Sequence, residues 1–142
     1  MKIYLAARYS RRLELCEYAE QLRAQGHTVT SRWLLGDHQI SDAGLNPDAD
    51  DAAIETRARF ALEDWQDLEA AEMTIAFTEV PRASTSRGGR HVELGAALAF
   101  DQRVIIVGPR ENVFCCLPQV AQFDSWDCVL AMLGHRAFRE SR

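Results

Sequence analysis

The sequence predicts a single α/β domain, an open parallel sheet of about five strands with helices on both faces. Three observations predict it. Short apolar runs alternate with longer stretches of helical apolar spacing, which implies parallel strands joined by right-handed crossovers. The chain has 142 residues, about what one domain needs, so residues 1–142 are read as one unit. With 47% hydrophobic and 26% charged residues, it can bury a core and is not a disordered chain.

Lys2 to Ala6 is a short apolar run that reads as the first strand, and Ser10 then offers an N-cap for a helix that ends at Gly26. His27 to Trp33 alternates as a second strand would. Leu34 to Asp50 mixes Gly, Asp, Asn and Pro without period and reads as a long loop or lid. From Asp51 to Ala71 the positions Ile54, Ala58, Ala61, Leu62, Trp65 and Leu68 recur at steps of three and four, predicting a helix that packs this face on the sheet. Met73 to Thr78 is a third strand, Val80 to Arg90 a Ser/Thr/Gly/Arg loop, His91 to Phe100 an Ala-rich helix and Arg103 to Val107 a fourth strand. Asn112 to Leu117 suggests a short helix, Val120 to Phe123 a last strand, and Ser125 to Leu133 a helix stopped at Gly134. In such sheets ligands bind beyond the carboxyl ends of the strands, which places the candidate residues there.

Sixteen basic against twenty-one acidic side chains give a net charge of −5, unfavourable for a broad surface that holds polymeric nucleic acid. The longest apolar runs, Val104 to Val107 and Leu94 to Phe100, fall short of the roughly 18 residues a bilayer crossing needs. No apolar signal segment follows Met1, so a cytoplasmic protein without a membrane partner is expected. The cysteines Cys16, Cys115, Cys116 and Cys128 form no CxxC pair and are expected as reduced, buried thiols. The four histidines have no metal-ligand spacing, and no metal is assigned.

The segment Ser84-Thr85-Ser86-Arg87-Gly88-Gly89-Arg90 runs from a strand end into a helix. Free backbone N–H groups at that helix start, with Arg87 or Arg90, would suit an anion such as a 5′-phosphate; a solvated loop is the alternative. It is neither a Walker motif nor a dinucleotide fingerprint. Glu93 is the odd residue in an apolar stretch, and in the first turn of a helix the dipole would keep it ionised as a nucleophile. Asp64 and Asp67 sit one turn apart near the negative end of the long helix, where an acid calls for a partner or a raised pKa; solvation is expected for Asp67, Glu63 and Glu69. One ionised and one protonated carboxyl are the equipment for breaking a glycosidic bond, and Glu93 with Asp64 makes such a pair. Tyr4 lies where its hydroxyl could orient a carboxylate or simply fill the core. Tyr9, Trp33, His38 and His91 could line the same pocket or be structural.

Ile3-Tyr4-Leu5-Ala6-Ala7, Asp64 and the block His91-Val92-Glu93-Leu94-Gly95-Ala96-Ala97-Leu98 together resemble the nucleoside 2-deoxyribosyltransferase family, which includes the 2′-deoxynucleoside 5′-monophosphate N-glycosidases. The resemblance runs from about residue 2 to residue 118. It implies a flavodoxin-like sheet, a homodimer with active sites near the subunit interface, and cleavage of the bond between a nucleobase and (deoxy)ribose without a cofactor. Glu93 matches the nucleophile that attacks C1′, Asp64 the acid near the departing base, and Tyr4 the tyrosine that holds the nucleophile. Asn112 resembles the asparagine that transferases lend to the partner subunit's sugar site.

Six residues before the nucleophile, transferases carry an acid for the free 5′-hydroxyl, whereas the monophosphate glycosidases carry a serine for phosphate. Arg87 stands there in this chain, within a longer loop, so Ser84 or Ser86 is the equivalent depending on where the insertion falls. With Gly88 and Gly89, this cationic, hydroxyl-rich loop points to a nucleoside 5′-monophosphate as the small-molecule substrate and to hydrolysis. Asn112 points instead to base exchange between deoxynucleosides. A nucleotide-binding sensor without turnover is the third reading.

Overall fold

In the computed structural model, which describes residues 1–36, 38, 53–81 and 88–140 with side chains up to 134, β1 (Lys2–Ala6), β2 (Thr28–Val29), β3 (Met73–Phe77), β4 (Arg103–Val107) and β5 (Val120–Phe123) form one parallel sheet. Their order in space is β2-β1-β3-β4-β5. The central strand β3 is buried along its whole length, and β1 and β4 are buried except at their first residues. Branched and apolar residues dominate them because helices cover both faces.

The helices are α1 (Arg12–Ala24), α2 (Ile54–Glu69), α3 (Gly89–Ala99) and α4 (Trp126–Glu140). On one face, Tyr18 of α1 stacks on Trp126 of α4 with ring centroids 4.5 Å apart, and the Trp126 indole N–H donates to Gln21 at 2.6 Å. Right-handed crossovers place α2 and α3 together on the other face, where Trp65 meets Phe100 edge-on at 5.4 Å. The chain runs outward from β1 to β2 in one direction and from β3 to β5 in the other. The crevice at this reversal, beyond the carboxyl ends of β1 and β3, is where an open α/β sheet binds its ligand.

The expected α/β order is present in every element, with local differences. The second strand is short because Ser31 ends it: the Ser31 hydroxyl accepts the Leu5 N–H at 2.7 Å and donates to the Leu5 carbonyl at 3.3 Å, taking the place of ladder bonds, and a 3₁₀ turn follows over Arg32–Leu35. Ser10 does not cap α1; it lies inside a 3₁₀ turn, Tyr9–Arg11, that leads into the helix. The short helix expected from Asn112 to Leu117 is a 3₁₀ helix over Val113–Cys116, which Asn112 caps by accepting the Phe114 N–H at 2.9 Å. Ser125 accepts the Cys128 N–H at 3.4 Å at the start of α4, which continues past Gly134 to Glu140.

The largest departure concerns α2. The apolar stripe expected to pack on the sheet faces outward except at Leu68, with Ile54 71%, Leu62 58% and Trp65 45% exposed. The helix is rolled so that Phe60, Asp67 and Leu68 go inside, because Arg32 draws Asp67 in with its backbone N–H at 2.7 Å and its Nε at 2.8 Å. Asp67 is therefore buried rather than solvated. Of the cysteines, all four are free, but only Cys115 is buried; Cys116 and Cys128 are exposed. No helix among the described residues is long and apolar enough to cross a membrane.

Candidate active site

Tyr4 lies at the middle of β1, wholly buried, and pairs in register with Thr74 of β3. Its hydroxyl donates to Glu93 Oε1 on α3 at 2.6 Å. A strand from the start of the chain and a helix 89 residues later thus meet at one short hydrogen bond to a carboxylate, which fixes Oε1. Glu93 as a residue is partly exposed, while its carboxyl lies against the Tyr4 hydroxyl.

The electrostatics set the protons. Burial pushes Glu93 up to about 7, against the Tyr4 hydrogen bond and the Arg90 charge, both of which pull it down. Asp64 on α2 is also raised to about 7, first by burial and then by the Glu93 charge, with His38 pulling the other way. Tyr4 is held well above its ordinary value by burial, Glu93 and Asp64, so it remains a donor. The Tyr4 hydrogen bond and the Arg90 charge favour the ionised form of Glu93, and a charged Glu93 favours the protonated form of Asp64.

The cause of this preference differs from the one the sequence suggests. α3 begins at Gly89, so Glu93 lies in its second turn, outside the reach of the helix terminus. Tyr4 and Arg90, not the dipole, favour its charge. Arg90 is buried and bonded through Nε and Nη2 to Glu111, just after β4, while its Nη1 has no hydrogen-bond partner among the described residues. Glu63, expected in solvent, lies with its Oε2 3.1 Å from His38 Nε2.

Gly88 caps α3 with a φ of 90° and Gly89 opens it, with open space around both. Ser84, Ser86 and Arg87 lie outside the described residues, as does all of the expected lid beyond Gly36 except His38. Asn112 is engaged within its own chain, its Oδ1 on the Phe114 N–H and its Nδ2 3.3 Å from His91 Nδ1. Trp33 is buried, its indole donating to the Leu5 carbonyl at 2.9 Å, and Tyr9 donates to the Gly36 carbonyl at 2.8 Å; both brace the turn above β1. Of Tyr9, Trp33, His38 and His91, His38 lies nearest the pair, its Nε2 3.5 Å from Asp64 Oδ1.

Two solved structures carry the same architecture. A 2-deoxyribosyltransferase from the psychrotolerant bacterium Bacillus psychrosaccharolyticus matches with a TM-score of 0.65 at 22% identity, over 94% of this chain and 96% of that one. The CMP N-glycosidase of Clostridium botulinum matches with a TM-score of 0.54 at 17% identity, over 94% of this chain and 98% of that one. This chain shares their fold. No protein-family model matches the sequence, and no curated protein matches it significantly.

Proposed function

We propose that this protein is an N-glycosidase of (deoxy)nucleoside 5′-monophosphates that releases the free base through a covalent glycosyl ester on Glu93. The observation that carries the reading is the 2.6 Å Tyr4–Glu93 bond, with Asp64, its carboxyl pushed up by burial and by the Glu93 charge, in electrostatic contact with the same carboxylate. Glu93 Oε2 attacks C1′ as the bond from C1′ to the base nitrogen breaks, and Asp64 gives its proton to the departing base. Water then attacks C1′ from the vacated side, returns a proton to Asp64 and frees Glu93, with net retention at the anomeric carbon. The two structural neighbours, named for deoxyribosyl transfer and for CMP N-glycoside cleavage, support chemistry at this bond.

The choice of a monophosphate rests on the sequence Ser84 to Gly89, whose hydroxyls, glycines and Arg87 suit a phosphate. A homodimer is part of the proposal. The outward stripe of Ile54, Leu62 and Trp65 on α2, with Val92 beside Glu93 on α3, is an apolar surface next to the site that a second copy would cover. Reduced thiols fit a cytoplasmic location.

Incubation with a panel of dNMPs should release free base, the Glu93→Ala protein should be inert, and a 2-fluoro sugar analogue should leave an adduct on Glu93 detectable by mass spectrometry. Reaction only of nucleosides with an added acceptor base would replace this reading by deoxyribosyl transfer. Tight nucleotide binding without base release over hours would replace it by a sensor.

A further inference from the structure

The two carboxyls of the site are referred to adjacent residues of β1. Glu93 is held by the Tyr4 hydroxyl at 2.6 Å. Asp64 is reached from Leu5 by a longer route. The Leu5 N–H donates to the Ser31 hydroxyl at 2.7 Å and the Leu5 carbonyl accepts the Trp33 indole N–H at 2.9 Å, so Arg32, the residue between them, is fixed relative to β1. Arg32 then grips α2 with both backbone and side chain. Its backbone N–H and its Nε donate to the two oxygens of Asp67 at 2.7 and 2.8 Å, and its Nη2 donates to the Glu63 carbonyl at 3.1 Å and to Gln66 Oε1 at 3.2 Å. Asp67 is buried, and a buried carboxylate stays where its donors are.

This grip fixes the roll of the helix about its axis. At about 100° per residue, Asp64 lies in the middle of the inward face, between Asp67 and Phe60 to one side and Leu68 to the other. The centre of the outward stripe of Ile54, Leu62 and Trp65 lies about 110° further round, and hydrophobic burial alone would turn that stripe onto the sheet. Such a turn would swing Asp64 through the same angle, away from Glu93. At the observed roll the charges of Glu93, Asp64 and Asp67 all act on Tyr4. We propose that Arg32 and Asp67 are positioning residues for the leaving-base step, holding α2 at the roll that turns Asp64 toward Glu93. The role rests on the reading of Asp64 as the acid that protonates the base. In that step the C1′–N bond breaks, the C1′–O bond to Glu93 forms, and the Asp64 proton moves to the base nitrogen; Arg32 and Asp67 exchange no proton. Because Tyr4 and Leu5 are neighbours on one strand, a shift of β1 moves both carboxyls together and preserves their separation.

The test compares wild type, Asp67→Ala and Asp67→Asn. The two variants lose the same charge, but the Asn amide oxygen still accepts the Arg32 backbone N–H, so a difference between them reports the roll of α2. On a deoxynucleoside monophosphate with an ordinary base, Asp67→Ala should lower kcat about 100-fold, the scale of a positioned general acid, with KM nearly unchanged. A second substrate, whose base carries electron-withdrawing substituents and leaves without protonation, should lose little. Asp67→Asn should retain most of the activity on both. Carbon-13 NMR of labelled aspartate gives a readout without turnover. The Asp64 carboxyl, raised from 3.8 to about 7 in the fold, should stay near 7 in Asp67→Asn and fall back toward 3.8 in Asp67→Ala as it leaves the interior and the Glu93 charge. Should Asp67→Ala fail to fold, Arg32→Ala, which cuts the Nε and Nη2 bonds, takes its place, with Arg32→Lys as the conservative variant. Equal kcat losses on both substrates, or the same Asp64 titration in both variants, would overturn the role of Arg32 and Asp67 while leaving the glycosidase intact. If wild type releases base from neither substrate, the glycosidase reading itself falls and the role in the leaving-base step with it.

Discussion

Replacing Asp64 by Asn should make the folded protein more stable at alkaline pH while abolishing base release. In the fold the Asp64 carboxyl is raised from 3.8 to about 7. The folded state therefore binds a proton that the unfolded chain has already lost, and stability falls as pH rises from about 4 through 7. At 1.36 kcal/mol for each factor of ten, the full penalty above pH 7 is ~4 kcal/mol. Asparagine removes the charge but loses the His38 contact and buries an amide, which costs ~1–2 kcal/mol. The expected gain at pH 8 is therefore ~2 kcal/mol, a shift in urea midpoint of roughly 1 M for a domain of this size. At pH 4 Asp64 is protonated in the fold, so the gain should vanish or reverse. Paired urea titrations of wild type and Asp64→Asn at pH 4, 6 and 8 measure it. A stability difference that stays flat across this range would refute the claim that Asp64 holds its proton at the expense of folding.

Tyr4→Phe removes the donor that pulls Glu93 down, so the acidic limb of the kcat/KM profile should move to higher pH and kcat should fall about 10- to 100-fold; an unmoved limb would detach Tyr4 from the nucleophile. Arg90→Ala leaves Glu111 as an unpaired buried charge and should cost ~3–5 kcal/mol in denaturant unfolding, most of it recovered in the double variant Arg90→Met with Glu111→Leu. Gly108→Ala should lower stability by at least ~2 kcal/mol, since its φ is 115° and a Cβ would lie 2.8 Å from Thr78 Oγ1 and 3.0 Å from the Thr78 carbonyl. Thermal melts of that variant decide it, and an unchanged Tm would show that the ends of β3 and β4 can separate.

The open parallel sheet and the alternation of strands with helices were legible in the sequence because buried parallel strands must be apolar and crossovers must turn one way. Met73 to Phe77 and Arg103 to Val107 read as strands from their residues alone, and so they are. The Glu93 and Asp64 pairing was legible too, since a lone acid in an apolar stretch needs a reason to be there. Three things were settled only in three dimensions. The roll of α2 follows from Arg32 gripping Asp67 across 35 residues of sequence, an attraction that outweighs the spacing of Ile54, Leu62 and Trp65. Arg90 pairs with Glu111 through two of its guanidinium nitrogens, a partner 21 residues away in sequence. The protonation of Glu93 depends on a tyrosine 89 residues away and on burial, not on the helix terminus it was expected to occupy. Local pattern determines which segments become strands and helices, because backbone hydrogen bonding and apolar period are properties of neighbours in sequence. The state of a charged side chain is decided by what lies within a few ångströms in space, and only the folded chain supplies those neighbours.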